Sequence, residues 1–229
     1  MKDLSIIIPC YNESRSIPRI LSRLKELIPS EKDIELIIVN NGSTDDTKQV
    51  LNKELPKSPF LKVITIERNV GYGNGIIAGL RASSGKYLCW THGDNQIDLS
   101  YVFNAFSLAG KNRFVKGSRK NQLISKKIFT FAMSLTCSLL TGRLLYDINA
   151  QPNLFPRSFL KYIDNSPKDF TIEIYAYYMA KTHKLEIIRF PVKVKERRYG
   201  VSSWDLGLKS KFNYFNQILK FKNEYLSKR

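Results

Sequence analysis

Short apolar-rich runs alternate with helix-periodic segments from residue 4 to residue 90, and this constrains the fold more than any other feature. The runs cover 4–8 (stopped by Pro9), 36–39, 61–66 and 87–90. Between the first two, Ile17, Ile20, Leu21, Leu24, Leu27 and Ile28 recur at helical spacing, and Pro18 suits a first turn. After the second run, Ser43 or Thr44 can cap a helix with Asp45 and Asp46 in its first turn. Residues 73–82 read as a third helix, and Gly85 as the turn into the fourth strand. Strands joined by helices must run parallel, because a crossover is needed to bring the chain back. Apolar runs of four or five residues, rather than alternating patterns, suggest strands covered on both faces. The expected fold is α/β: a doubly wound, mostly parallel sheet with helices on both faces. Ligands bind such sheets beyond the carboxyl ends of the strands. Those ends here are 9–13, 40–43, 67–71 and 91–96.

The second half is less regular. A strand is predicted at 114–116, a helix at 125–140 with Lys126 and Lys127 at its start, and a polar loop at 147–155. A helix over 170–181 and a strand over 185–194, interrupted by Pro191, follow. After a loop at 197–203 comes a basic amphipathic helix over 206–226, with Leu208, Phe212, Phe215, Leu219 and Leu226 on or near one face. No linker divides the chain, so one domain over 1–229 is expected, with a first half at 1–110 and a second at 111–229.

Charge separates these halves. Residues 1–110 carry 13 Lys/Arg and 12 Asp/Glu; residues 111–229 carry 24 and 8, giving most of the net +17. Either the second half has a lysine-rich solvated surface, or it faces something anionic: lipid, a phosphorylated substrate or nucleic acid. There is no RNP-like motif, zinc-finger spacing or clear helix-turn-helix, so no nucleic-acid partner is expected. Cys10, Cys89 and Cys137 lack CxxC spacing and imply neither a disulfide framework nor a zinc site, consistent with a reducing cytoplasm. The N-terminus does not have the shape of a signal peptide. The longest apolar-leaning run, 128–141, is shorter than the roughly 20 residues of a membrane span.

The strongest chemical constellation is His92-Gly93-Asp94-Asn95-Gln96. Asp94 and Gln96 offer hard oxygens suited to Mg²⁺ or Mn²⁺, and His92 tilts the choice toward Mn²⁺. In an extended chain, residues four apart lie about 13 Å apart, so one ion can be shared only if the chain bends, which Gly93 permits. The alternative is a polar loop that binds nothing. Pro9, Tyr11, Asn12 and Glu13 offer a ring and polar groups to a base or ribose, or simply form a strand-to-helix turn. Asn40-Asn41-Gly42-Ser43 has the same two readings. Gly71, Gly73, Gly75 and Gly79 fit a dinucleotide fingerprint poorly, since Ile76 holds the third glycine position; they read as tight turning and close helix packing.

Taken in order, Pro9-Cys10-Tyr11-Asn12-Glu13, Asn40-Asn41-Gly42-Ser43-Thr44, Asn69-Val70-Gly71-Tyr72-Gly73 and His92-Gly93-Asp94 resemble the inverting family-two glycosyltransferases of GT-A fold. The dolichol-phosphate mannose synthase branch and related bacterial enzymes are the most similar. The resemblance continues through Gly117-Ser118-Arg119, the 126–140 segment, Asp147 and Arg197-Arg198-Tyr199-Gly200-Val201-Ser202. It implies a UDP- or GDP-linked sugar donor, with base and ribose against Pro9, Tyr11, Asn12, Glu13, Asn40 and Asn41, near Gly71. It further implies a Mn²⁺ or Mg²⁺ ion on Asp94, with Gln96 and His92 at matching positions, and phosphate contacts from Arg119 and Arg197. Three departures stand out. His92 replaces the first aspartate of Asp-x-Asp. Asn40-Asn41 replaces Asp-Asp. Ser203-Trp204 stands where a lysine is expected, which counts against a polyprenyl phosphate acceptor.

The implied reaction is displacement at an anomeric carbon, onto a polyprenyl phosphate or a cell-surface glycan. A glycan hydroxyl needs a general base, for which Glu173 and Asp147 are the candidates, the alternatives being an exposed helix charge at Glu173 and a structural cap of the 149–152 loop at Asp147; a lipid phosphate needs none. A non-catalytic nucleotide-sugar or anion binder with a degenerate metal motif is the alternative. The two amphipathic segments imply either peripheral binding at the inner face of the cell membrane, with Phe212, Phe215, Leu219 and Leu226 set against Lys209, Lys211, Lys220 and Lys222, or an apolar face packed on the protein's own core with the lysines as ordinary surface.

Overall fold

The computed structural model describes residues 1–29, 32–121, 123–197 and 208–226, with side chains in the last segment from Asn213 onward. The strands are β1 (Leu4–Cys10), β2 (Ile34–Asn41), β3 (Leu61–Ile66), β4 (Tyr87–Trp90), β5 (Arg113–Arg119), β6 (Asn153–Pro156) and β7 (Glu186–Val192). The helices are α1 (Ile17–Leu27), α2 (Thr47–Glu54), α3 (Tyr72–Ala82), α4 (Ser100–Ser107), α5 (Ile124–Thr141), α6 (Leu160–Ile163), α7 (Ile172–Thr182) and α8 (Leu208–Phe221). A π-helical turn, Lys222–Leu226, follows α8. The seven strands form one sheet in the order β3-β2-β1-β4-β6-β5-β7, and only β6 runs antiparallel to its neighbours.

The apolar runs behave as expected. Ile7, Ile37 and Val39 face a core shared with α3, α7 and α8, while Ile6, Ile8, Leu36 and Ile38 face one shared with α1 and α4. Successive strand residues point to opposite faces, so a strand covered on both sides is mostly apolar; the polar pair Ser5 and Glu35, buried in β1 and β2, bond to each other. α3 lies so close that a Cβ on Gly79 would fall 2.5 Å from Ile7 Cγ2.

Several boundaries differ from the sequence reading. Pro9 does not stop β1, which runs on to Cys10. Ile7 O accepts from Thr91 N on the β4 side, so Pro9, two residues on, would point its missing N–H where β4 has already ended. β7 continues through Pro191, which an edge strand tolerates. α2 begins at Thr47, later than expected, because Ser43 and Thr44 bond to Asn12 instead of capping it. The expected polar loop contains β6, whose Asn153 is fully buried. In α8 the core takes Tyr214, Ile218 and Phe221, leaving Phe215 and Leu219 of the face grouped from sequence exposed, while Leu226 just beyond the helix packs against the core. Arg198 to Ser202, Ser203 and Trp204 fall outside the described residues, as do the side chains of Leu208, Lys209, Lys211 and Phe212.

Candidate active site

The order of strands reverses between β1 and β4, and the polar residues gather at the carboxyl end of this switch point. Two turns are stitched together there. Asn12, in a left-handed conformation at φ +57°, accepts from Thr44 N at 2.8 Å through its Oδ1, while its own N–H donates to Ser43 Oγ at 3.0 Å. Asn40 Oδ1 accepts from Ser43 N, and Asn41 Nδ2 donates to Gly71 O at 3.0 Å. Tyr11 is 46% exposed, and Gly75 lies against Pro9 and Asn41. Gly71, at φ +126°, turns the chain into α3 against Lys168, whose carbonyl would sit 2.3 Å from an added Cβ. Gly71 therefore joins two backbones tightly, as the sequence reading of the glycines expected.

The 91–96 segment bends from Gly93 onward, as the sequence reading allowed, with its left-handed residue at Asn95. Asn95 is left-handed at φ +58°, and Asp94 Oδ1 accepts from Gln96 N at 3.0 Å. Gly93 is required by space, since a Cβ there would meet Cys10 Sγ at 2.8 Å. Gln96 donates Nε2 to Lys195 O, leaving its Oε1 as the oxygen available to a cation. Among the described residues, no group of three His, Cys, Asp or Glu side chains is placed to hold one metal ion.

Arg197 reaches this loop from beyond β7. It donates to Glu13 Oε1 and its Nη1 lies 3.7 Å from Asp94 Oδ2. Glu13 also accepts from Ser16 Oγ at 2.6 Å. Burial nevertheless raises its pKa above the usual carboxylate range, against the pull of Ser16 and Arg197. The structure thus brings Glu13, Asp94 and Arg197 together and places Arg119 in a separate cluster.

In that cluster Asp147, 2% exposed, accepts from Arg119 N and Nε at 2.8 Å each and from Nη2 at 2.5 Å, with Arg189 Nη2 at 3.7 Å. Glu173 is not the exposed helix charge that its position on α7 allowed; it is 4% exposed. Its Oε1 accepts from Trp90 Nε1 at 3.0 Å, Gln151 Nε2 at 2.5 Å and Tyr72 OH at 3.3 Å; its Oε2 accepts from Asn153 Nδ2 at 2.9 Å. Lys116, fully buried on β5, donates to Ala150 O and Asn153 Oδ1 at 2.7 and 2.8 Å. Burial lowers its pKa to about 8, although Glu173 and Asp147 pull it upward. Sequence reasoning assigned no role to Tyr72, Trp90, Lys116, Gln151, Asn153 or Arg189. A lysine directly after Phe114-Val115 in a strand, and the run Asn149-Ala150-Gln151-Pro152-Asn153, were the available signals.

Residues 5–155 match the family model for glycosyl transferase family 2. The chain belongs to this family. It is 28% identical over 208 residues to poly-beta-1,6-N-acetyl-D-glucosamine synthase of Staphylococcus epidermidis, covering 86% of this chain but only 49% of that protein. The chain thus spans about half the length of that relative. It is 26% identical over 215 residues to undecaprenyl-phosphate mannosyltransferase of Micrococcus luteus, covering 88% of this chain and 87% of that one. Among solved structures, glucosyl-3-phosphoglycerate synthase from Mycobacterium tuberculosis, in complex with Mn²⁺, UDP-glucose and phosphoglyceric acid, superposes with a TM-score of 0.71. It is 18% identical, covering 97% of this chain and 80% of that one, and it is alike in fold. The GT-A architecture expected from the sequence is therefore the observed one.

Proposed function

We propose that the protein transfers a sugar, with inversion, from a nucleoside-diphosphate sugar to a polyprenyl phosphate. The observation that carries the choice of acceptor is the state of the two base candidates. Asp147 is engaged by two arginines, and Glu173 accepts from four donors inside the protein. Neither is placed as a ready base for a sugar hydroxyl, whereas a lipid phosphate is already ionised and needs none. The Micrococcus relative, named for an undecaprenyl-phosphate acceptor, supports the same reading.

The donor set fits a hard divalent ion: one carboxylate from Asp94, an amide oxygen from Gln96 and an imidazole nitrogen from His92. With one carboxylate, the remaining ligands must come from donor phosphates and water, a familiar pattern for Mg²⁺ and Mn²⁺. The ion would supply charge stabilisation to the leaving diphosphate. Arg197, beside Asp94, exchanges its carboxylate partners for phosphate oxygens, and its planar fork suits them. Arg119, held by Asp147 in a cluster apart from Asp94, is the second candidate for phosphate contact. Tyr11 offers its exposed ring to the base, with Pro9, Asn12, Glu13, Asn40 and Asn41 forming the floor beneath. UDP and GDP remain equal candidates for the nucleotide.

The test is transfer from a panel of UDP- and GDP-sugars to a short-chain polyprenyl phosphate and to a glycan, with Mn²⁺ or Mg²⁺. Metal-dependent glycosylation of the lipid phosphate, lost in Asp94→Asn with the fold intact, is expected. Normal turnover by that variant would remove the metal assignment, and transfer to the glycan alone would overturn the acceptor.

The surface supports work at the inner face of an anionic membrane. Among the described residues, no helix is long and apolar enough to cross one. On α5, however, Ile124, Ile128, Phe131, Leu135 and Leu139 form one row at helical spacing, each 50% to 77% exposed. No Asp or Glu occurs between Asp98 and Asp147, while Lys120, Lys126, Lys127 and Arg143 flank the row. Apolar insertion plus basic attraction is the pattern of an interfacial helix. Co-sedimentation with phosphatidylglycerol vesicles should fall with salt and be lost in Ile128→Ser/Phe131→Ser/Leu135→Ser. Equal binding by that variant would move the contact away from α5.

A further inference from the structure

His92 stands where the family has a carboxylate, and a neutral imidazole ligates a cation only through the nitrogen that lacks a proton. Which nitrogen that is follows from a chain of hydrogen bonds. Glu173 Oε1 accepts from the Trp90 indole N–H, which can only donate, and from Gln151 Nε2. A carboxylate so surrounded is an acceptor, so the single proton of Tyr72 OH, 3.3 Å away, points at Glu173. The Tyr72 oxygen then has only lone pairs to offer its other neighbours: Gln151 Nε2 at 3.4 Å and His92 Nδ1 at 3.4 Å. For His92 Nδ1 to bond there it must carry the hydrogen. The opposite arrangement would turn the tyrosine proton to Nδ1 and away from the charged acceptor, giving up the stronger, charge-assisted bond.

We infer that Tyr72 is a positioning residue that holds His92 in its Nδ1–H tautomer, leaving Nε2 as the ligating nitrogen. The inference rests on the metal-site reading above for what Nε2 does, but not for the tautomer itself. The geometry is built to be fixed. The Tyr72 ring stacks on Phe170 with centroids 4.9 Å apart and 16° between planes, and lies 5.8 Å from the His92 ring. Glu173 is anchored to β4 by Trp90 and to the β6 region by Gln151 and Asn153. The buried carboxylate therefore acts on the metal loop through the tyrosine, without touching it. A histidine in place of an acid supplies no negative charge, and the orientation of its lone pair is all it can contribute as a ligand.

The chain has only two histidines, His92 and His183. Long-range ¹H–¹⁵N spectra of the full-length, histidine-labelled protein at about pH 8.5, well above the ordinary imidazole range, will resolve both rings. His92→Asn supplies the assignment. The expected result is an Nδ1–H, Nε2-lone-pair pattern for His92 in the metal-free protein, relaxing to a mixture of tautomers in Tyr72→Phe, which keeps the stack on Phe170. Mn²⁺ alone should then broaden His92, with about tenfold weaker affinity in Tyr72→Phe, the usual scale for a residue supporting a metal ligand. An Nε2–H pattern in the wild type, or an unchanged Nδ1–H pattern in Tyr72→Phe, overturns the positioning role. The expected tautomer without Mn²⁺ broadening overturns the metal reading and leaves the tautomer assignment standing.

Discussion

Asp147 and Glu173 carry the same charge and are almost equally buried, yet their surroundings differ in kind. Asp147 sits among guanidinium groups, with Arg119 gripping it through side chain and backbone and Arg189 behind. Glu173 sits among neutral donors: an indole, two amides and a phenol. Its nearest compensating cation, Lys116, is reached through Asn153, which accepts from the lysine and donates to the glutamate. A carboxylate neutralised by direct ion pairs is a clamp, here joining the end of β5 to the segment before β6. A carboxylate held by neutral dipoles keeps its negative potential and imposes donor and acceptor roles on its partners. Identical burial therefore says nothing about role until the donors are identified.

The sharpest way to break this contrast is to remove each charge alone. Asp147→Asn leaves two guanidinium groups without their anion and should cost about 4 kcal/mol in chemical denaturation, the scale for breaking a buried pair. Combined with Arg119→Met, the total loss should fall short of the sum. Glu173→Gln sets an amide N–H against existing donors and should cost about 2 kcal/mol. Its transfer to lipid phosphate should stay within about tenfold of wild type, whereas a loss of 10²–10⁴ would make Glu173 a general base and end the contrast. The smallest effect concerns Lys116. Its folded-state pKa of about 8 lies below the ordinary 10.5, so the unfolded chain binds more protons between those values and stability rises with pH there. Relative to Lys116→Met, the wild type should gain on the order of 1 kcal/mol between about pH 8 and pH 9. A flat difference would mean that the lysine is not burdened by its burial.

The parallel half of the sheet was legible because strands covered on both faces carry apolar residues at consecutive positions rather than alternate ones. β6 was not, because its four residues include a proline and an asparagine whose polar side chain is used inside. The turns at 9–13, 40–43 and 91–96 could be located from the strands that end there. What they bond to could not: Ser43 and Thr44 look like helix caps until Asn12 is seen across from them. Glu173 shows the same limit. Helix position alone cannot tell an exposed acid from one whose partners come from β4, α3 and the 149–153 segment.

The row on α5 also bears on the molecule away from any bilayer. A net charge of +17 keeps copies apart at low ionic strength. At about 0.1 M salt the Debye length shrinks to about 10 Å, and that repulsion weakens. Salt that frees the protein from an anionic surface therefore also permits its apolar rows to meet one another. Solubility and surface attachment respond to the same variable with opposite consequences. Light scattering should show released protein self-associating as salt rises, and the Ile128→Ser/Phe131→Ser/Leu135→Ser variant staying monodisperse. Ionic strength then governs not only whether the chain is bound, but what it meets once it is free.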